Sequence, residues 1–245
     1  MPGATLSRLT FLGTGNFLAP GRYWNSFVLD DDVLVEPAPT SLPNLRRAGI
    51  AAGAIQTVVI SHFHADHTFG WPFLLLELLR SRPAEALWVV GPPGVESHLA
   101  DMMRVGSVRG VHEDAHARMD IRYVEVDGTW QQAGMLRLRA VEVEHVPYLR
   151  CYGFLFDRGP RTLGYSGDTR PCGGLDELAH EAHALVLECN GPHPPPPTHM
   201  EVPDVRALQA RNPGLRLILT HLGEGVEADV PDGAIVPSDF AVVEL

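Results

Sequence analysis

A chain of 245 residues with 45% hydrophobic content has enough apolar material for a substantial core and is read as one unit over residues 1–245. Its net charge of −11, from 30 acidic against 19 basic residues, argues against a broadly cationic nucleic-acid-binding surface. All 19 basic residues are arginine, which excludes Schiff-base chemistry and phosphate loops that depend on lysine.

In chain order, short apolar runs predict strands over 5–12, 26–30, 33–36, 56–61 and 86–90, with helices over 42–48, 71–80 and 94–105. The second half predicts strands over 119–126, 136–144, 152–157, 162–166, 184–188 and 215–220, with a helix over 203–211 before the last of them. Glu96, Leu99, Ala100 and Met103 recur at helical spacing, and His98 beside them is read as interfacial or solvated. Residues 102–118 are polar and contain glycine, and are read as a lid or a dimer contact. No linker divides the chain. Strands and helices in each half imply two sheets packed face to face with helices outside.

No apolar stretch approaches the roughly 18 residues needed to cross a bilayer. The N-terminus shows no charged leader followed by an apolar region and a cleavage site, so the expected location is cytoplasmic with no membrane attachment. Cys151, Cys172 and Cys189 have no metal-knuckle spacing and are expected to be free thiols.

The densest chemistry lies in residues 61–67, Ser-His-Phe-His-Ala-Asp-His, directly after the apolar run Thr57-Val58-Val59-Ile60. A strand end anchored in a core is a rigid place from which to aim ligands. His62 and His64, two apart, point the same way in extended backbone, while Asp66 and His67 turn away toward a second centre. Imidazole and carboxylate suit Zn2+, with Mn2+, Fe2+ and Ni2+ as rivals. Further histidines or carboxylates follow other strands: His145, Asp168 and His221. Four strands that each end in such a residue imply one common edge.

Five pieces in order resemble the metallo-β-lactamase-fold hydrolases: Phe11-Leu12-Gly13-Thr14-Gly15, the cluster at 61–67, Glu144-His145-Val146-Pro147, Tyr165-Ser166-Gly167-Asp168-Thr169 and Leu219-Thr220-His221-Leu222. The resemblance implies an α/β fold of four αββα layers and two divalent metal ions at one edge. It places His62, His64 and His145 on the first ion, Asp66, His67 and His221 on the second, and Asp168 between them. Such ions lie about 3.5–4 Å apart and can share a hydroxide that serves as the nucleophile. Asp66 has a second role open to it, as proton acceptor.

Within the family, Val143-Glu144-His145-Val146-Pro147 and the segment Pro20-Gly21-Arg22-Tyr23-Trp24-Asn25-Ser26 resemble the branch of tRNase Z and cyclic phosphodiesterases. By that resemblance Glu188 and His199 form the pair that assists the leaving group; the other reading of His199 is a loop histidine capping the next helix. The proline run 194–197 is expected to stiffen its loop. Two departures stand out. Only 22 residues separate His145 from Asp168, too few for the tRNA-gripping arm of tRNase Z, and the turn after the early strands reads Val35-Glu36-Pro37-Ala38-Pro39 instead of a glycine-rich sequence.

The resulting expectation is a phosphodiesterase acting on a small or nucleotide-like anionic ester, with Arg22 and Arg150 as anion clamps and a homodimer as one assembly. Trp24, Trp71 and Tyr148 are candidates to stack on a base or another flat group, with core or rim packing equally open for each. Hydrolysis of a lactone, thioester, β-lactam or sulfate ester at the same site is the enzymatic alternative. A non-hydrolytic sensor or a redox protein is the alternative from another class. The pair His112 and His116 is read as solvated rather than ligating, and the run His180-Glu181-Ala182-His183 is one residue short of a zincin motif.

Overall fold

Apolar runs that do not alternate need cover on both faces of the pleat, and the structure supplies it. The computed structural model describes residues 7–81, 86–157, 161–191 and 197–245. Strands β1 (Arg8–Gly13), β2 (Ser26–Leu29), β3 (Val33–Val35), β4 (Thr57–Val59), β5 (Leu87–Gly91) and β6 (Ile121–Glu125) lie side by side in that order. A second sheet runs in sequence order through β7 (Trp130–Ala133), β8 (Leu136–Val143), β9 (Cys151–Asp157), β10 (Thr162–Tyr165), β11 (Ala184–Glu188) and β12 (Arg216–Thr220). The C-terminal β13 (Val242–Glu244) returns to the first sheet and pairs antiparallel with β1.

Between the sheets lies one apolar layer, with Phe11, Phe27, Val35 and Val59 meeting Tyr152, Phe154, Val186 and Ile218. The outward residues of the first sheet, such as Leu12, Val58 and Val89, are covered by three helices: α1 (Ser41–Arg47), α3 (Trp71–Ser81) and α4 (Val95–Val105). A short helical turn, α2 (Ala65–Thr68), precedes α3, and α5 (Arg109–Arg118) follows α4. Outward residues of the second sheet, including Leu155, Leu185 and Leu217, pack on α6 (Gly173–Glu181) and α7 (Val202–Arg211). The order helix, sheet, sheet, helix is the four-layer αββα sandwich expected from the sequence. Each buried Leu or Phe contributes about 1.5–3 kcal/mol against exposure, so the three apolar layers are the main source of stability.

The expected elements appear within three residues of their predicted ends, except that residues 5 and 6 of the first expected strand lie outside the described residues. The second half of residues 102–118 is the regular helix α5. Its Arg109–Glu113 and Asp114–Arg118 pairs, 2.8 and 3.4 Å, run along the exposed surface while Ala115 is buried. The short strands β7 and β13 and the helix α6 were not predicted. Trp71 is fully buried beneath the first sheet, a core residue and not a stacking platform.

Strands β3, β4 and β5 are parallel and in register, as are β10, β11 and β12. Their C-terminal ends therefore form a common rim on each sheet; Glu188 is the last residue of β11, and the loops that leave the strand ends carry Glu36, the 61–67 cluster, Asp168 and His221.

Candidate metal centre

The local backbone is shaped to converge these loops. The α2 turn, closed by Thr68 Oγ1 donating to His64 O at 2.9 Å, separates His64 from Asp66 and His67. Before Asp168, Gly167 has φ +59°, and a Cβ there would stand 2.5 Å from Tyr152 O, so only glycine fits this crossing. His221 follows β12 with φ +50° and Glu36 follows β3 with φ +58°. Both are non-glycine residues in the left-handed region, a strained state that tends to accompany functional sites.

Potential ligand atoms of His62, His64, His145 and Asp168 all lie within 4.8 Å of one another, as do those of Asp66, His67 and His221. Asp168 ties the two groups together. Its Oδ2 is 3.4 Å from His67 Nε2, 3.5 Å from His221 Nε2, 3.9 Å from His62 Nε2 and 4.0 Å from His145 Nε2. His64 Nδ1 lies 3.0 Å from His62 Nε2 and 3.3 Å from His145 Nε2. Asp66 Oδ2 stands 3.5 Å from His67 Nε2 and 3.6 Å from His221 Nε2.

Each imidazole turns one nitrogen inward and the other toward an outer group. His62 Nδ1 meets Ser61 Oγ at 2.8 Å, and His145 Nδ1 donates to the Thr198 carbonyl at 2.7 Å. His64 Nε2 faces the Tyr148 hydroxyl at 3.3 Å, His67 Nδ1 faces Glu36 Oε1 at 3.5 Å and His221 Nδ1 faces the Asn190 amide at 3.5 Å. An outer acceptor, as the Thr198 carbonyl is to His145, holds the proton on that nitrogen and leaves the inner one bare for a cation. Among the described residues both ring nitrogens of His67, His221 Nε2 and Asp168 Oδ1 are buried without a hydrogen-bond partner. Buried orphans of this kind cost free energy unless a ligand meets them, and a nitrogen- and oxygen-rich set fits divalent metal ions.

Electrostatics report the same crowding. Burial, helped by His67, holds His62 well below its ordinary pKa, and burial brings His145 down to about 4. Burial also opposes charge on His67, but Asp168, Asp66 and Glu36 outweigh it and push that ring well above the usual range. Asp168 and Asp66 are buried too, yet the surrounding imidazoles keep both well below ordinary carboxylates. Anionic carboxylates beside His62 and His145 held neutral suit metal binding, and a bound cation would replace the proton that the same carboxylates favour on His67.

Beside this group, His199 Nδ1 lies 2.8 Å from Glu188 Oε1 and 3.9 Å from Asp168 Oδ2. Glu188 is fully buried at the end of β11 and also accepts from Thr169 N at 2.7 Å. Burial lowers His199, but Glu188 more than offsets it and brings the ring up to about 9. Burial also raises Glu188, so the pair as a whole retains its shared proton. Of the proline run at 194–197, only Pro197 lies within the described residues.

The two candidate anion clamps are not brought to this centre. Arg22 pairs with Glu227 and donates to Thr14 Oγ1 at 2.5 Å and Pro237 O at 3.3 Å, tying the early loop to the C-terminal segment. Arg150 is 2.9 Å from Glu142 and lies over the Tyr152 ring, in a separate hollow with Glu125 and Asp127. An arginine already paired with a carboxylate is a poor clamp for a second anion, so the geometry lends these two roles no support. His112 and His116 lie ring to ring at 4.1 Å, and His116 Nε2 meets the Tyr123 hydroxyl at 3.1 Å. Neither belongs to a candidate metal group among the described residues.

Sequence reading missed the outer partners. Asn25 Nδ2 donates to Tyr165 Oη at 2.9 Å, and Ser61 N donates to Glu36 Oε1 at 3.2 Å. The signal available for Glu36 was an acidic residue within an otherwise apolar strand end; nothing local marked Asn25 or Asn190.

A family described as the beta-lactamase superfamily domain matches residues 30–222, and the chain belongs to it. Within that superfamily it is a metallo-β-lactamase-fold hydrolase near the tRNase Z branch. Ribonuclease Z of Mycobacterium avium (strain 104) is 29% identical over 192 residues, covering 73% of this chain and 68% of the relative. The short form of human tRNase Z superposes with a TM-score of 0.73 at 20% identity, covering 96% of this chain and 98% of that one. A diphosphatase from the PhnP family gives 0.77 at 19% identity and covers 98% of each chain. At these identities the structural likenesses establish the fold.

These relatives overturn the expected partners. A small-molecule substrate with nucleic acid set aside does not stand when the sequence relatives are ribonucleases. The inference from charge failed because net charge averages over the whole surface. It also counts Asp66 and Asp168, which lie where bound cations would offset them. Among the described residues no helix is long and apolar enough to cross a membrane.

Proposed function

We propose that this chain is a dinuclear metal-dependent phosphodiesterase that cleaves phosphodiester bonds of ribonucleic acid. His62, His64 and His145 would hold one ion, Asp66, His67 and His221 the other, and Asp168 would bridge them. Zinc suits this donor set best, with manganese, iron and nickel as competitors. When bound, the ions supply Lewis acidity toward the phosphoryl oxygens and lower the pKa of a water to near neutrality.

The chain's own groups then have distinct tasks. Asp168 sets the spacing of the two ligand groups. Asp66, kept anionic by His67 and His221 against its burial, is placed to accept a proton from the attacking water. His199 is placed to return a proton to the departing oxygen, with Glu188 orienting its ring.

The observation that carries the phosphodiesterase reading is the 2.8 Å contact of His199 with buried Glu188, next to Asp168. An alkoxide expelled from phosphorus is a poor leaving group and benefits from a positioned acid, whereas a thiolate leaves unaided. The names of the relatives, ribonuclease Z and tRNase Z, support RNA as the substrate class.

The test is turnover by protein of measured metal content on bis-nitrophenyl phosphate, an oligoribonucleotide, a lactone and a thioester. Turnover of the two phosphodiesters is expected. Turnover of the carbonyl esters alone would move the protein to the lactonase or thioesterase chemistry of the same site.

A further inference from the structure

His64 and Asp66, one from each group of candidate ligands, form a wall of an open cleft of about 700 Å³. The remaining lining is Phe17, Trp24, Pro39, Ala65, Phe69 and Phe73. Phe17, Phe69 and Phe73 are 57%, 53% and 62% exposed. Single exposed apolar residues need no explanation, but three phenylalanines and a tryptophan gathered in one concavity mark a binding surface. Its size and mainly apolar lining, with a few polar groups at one end, are those of a small-ligand site.

We propose that this cleft binds the nucleobase adjacent to the scissile phosphate, a proposal that rests on the phosphodiesterase reading above. The cleft opens on the candidate ligands, so its occupant must be continuous with the group that reacts there. Among the described residues its lining holds no arginine, so it does not suit a second phosphate. Its aromatic faces suit a planar, uncharged ring, which stacks with offset or edge geometry and little dependence on base identity. An RNA phosphodiester carries such a ring within a sugar's length of phosphorus. The fit requires that base to be unstacked from its neighbours, so the substrate region entering the site is single-stranded.

The experiment follows tryptophan fluorescence of metal-loaded protein titrated with adenosine 5′-monophosphate and, separately, with ribose 5-phosphate. Saturable quenching by the nucleotide alone is expected. Trp24→Phe should abolish that signal, and Phe73→Ala should weaken nucleotide binding about tenfold, the effect typical of losing one stacking partner. Metal content measured on each variant verifies that the site is still assembled.

Equal quenching by both sugars' phosphates, or an undiminished signal in Trp24→Phe, overturns the proposal. So does a Phe73→Ala variant that changes only the oligomeric state, which would make the cleft a contact between copies of the chain. Hydrolysis of bis-nitrophenyl phosphate is measured alongside. Its absence with nucleotide quenching intact would remove the phosphodiesterase reading and leave the base site standing.

Discussion

The Tyr165 hydroxyl donates to Glu36 Oε1 at 3.1 Å, joining the second sheet to the first behind the candidate metal centre. Around that bond Asn25 Nδ2 donates to Tyr165 Oη, and Thr220 Oγ1 donates to Asn25 Oδ1 at 2.6 Å. Glu36, fully buried, also accepts from Ser61 N and faces His67 Nδ1. This chain of contacts holds the imidazole of a candidate ligand in position from outside.

Glu36→Gln keeps the shape but removes the charge that faces His67. Metal affinity is expected to fall by about 10–100-fold, the usual effect of losing an outer partner of a ligand. Chelator competition measures it, and an unchanged affinity would show that Glu36 serves packing alone.

Asp168→Ala removes the one carboxylate oxygen that five imidazoles, those of His62, His67, His145, His199 and His221, approach. Metal and activity should be lost together, by elemental analysis and by turnover of a phosphodiester. Retention of two ions per chain would contradict the bridging assignment.

His199→Ala should retain the metals and slow substrates with alkoxide leaving groups by about 10²–10⁴, the range for a positioned acid, while sparing nitrophenyl esters. Equal losses on both substrate types would remove it from the role of acid.

The same residue sets a pH dependence. An acid acts only when protonated, and the pKa of His199 is raised to about 9 by Glu188. Activity on alkyl phosphodiesters should therefore be present below that pKa and fall as pH rises through it. Bound cations nearby favour the neutral ring and would move the limb lower. The pH profile of kcat/KM for wild type should show this alkaline limb, and His199→Ala should lack it.

Gly167→Ala places a Cβ 2.5 Å from Tyr152 O on a backbone with φ +59°. A strained left-handed residue costs about 1–3 kcal/mol. For a chain of this size, the melting temperature should fall by about 2–4 °C for each kcal/mol, and the overlap with Tyr152 makes the upper end the expectation.

The parts legible in sequence share a physical origin. Val58 and Val59 end in a polar cluster, and buried strands that run straight into histidines leave little choice of architecture. The seven candidate ligands were readable because each sits just past such a strand. Glu36, Asn25 and Asn190 were not, since their partners lie on other strands or loops and only the closed sandwich brings them near. The pairing of Arg22 was hidden for a similar reason: its partner Glu227 is 205 residues away. The aromatic cleft was half visible, with Trp24 readable beside a site loop. Phe69 and Phe73 looked like ordinary residues of the segment that becomes α3 and its approach.

The parallel rims at the strand ends have a consequence for assembly. One candidate ligand group draws His62 and His64 from the first sheet's rim and His145 and Asp168 from the second; the other combines Asp66 and His67 with His221. Neither sheet alone owns either of these two sets. Captured metal would therefore act as a bolt across the seam, refusing half-built chains and locking only those whose two halves have already met.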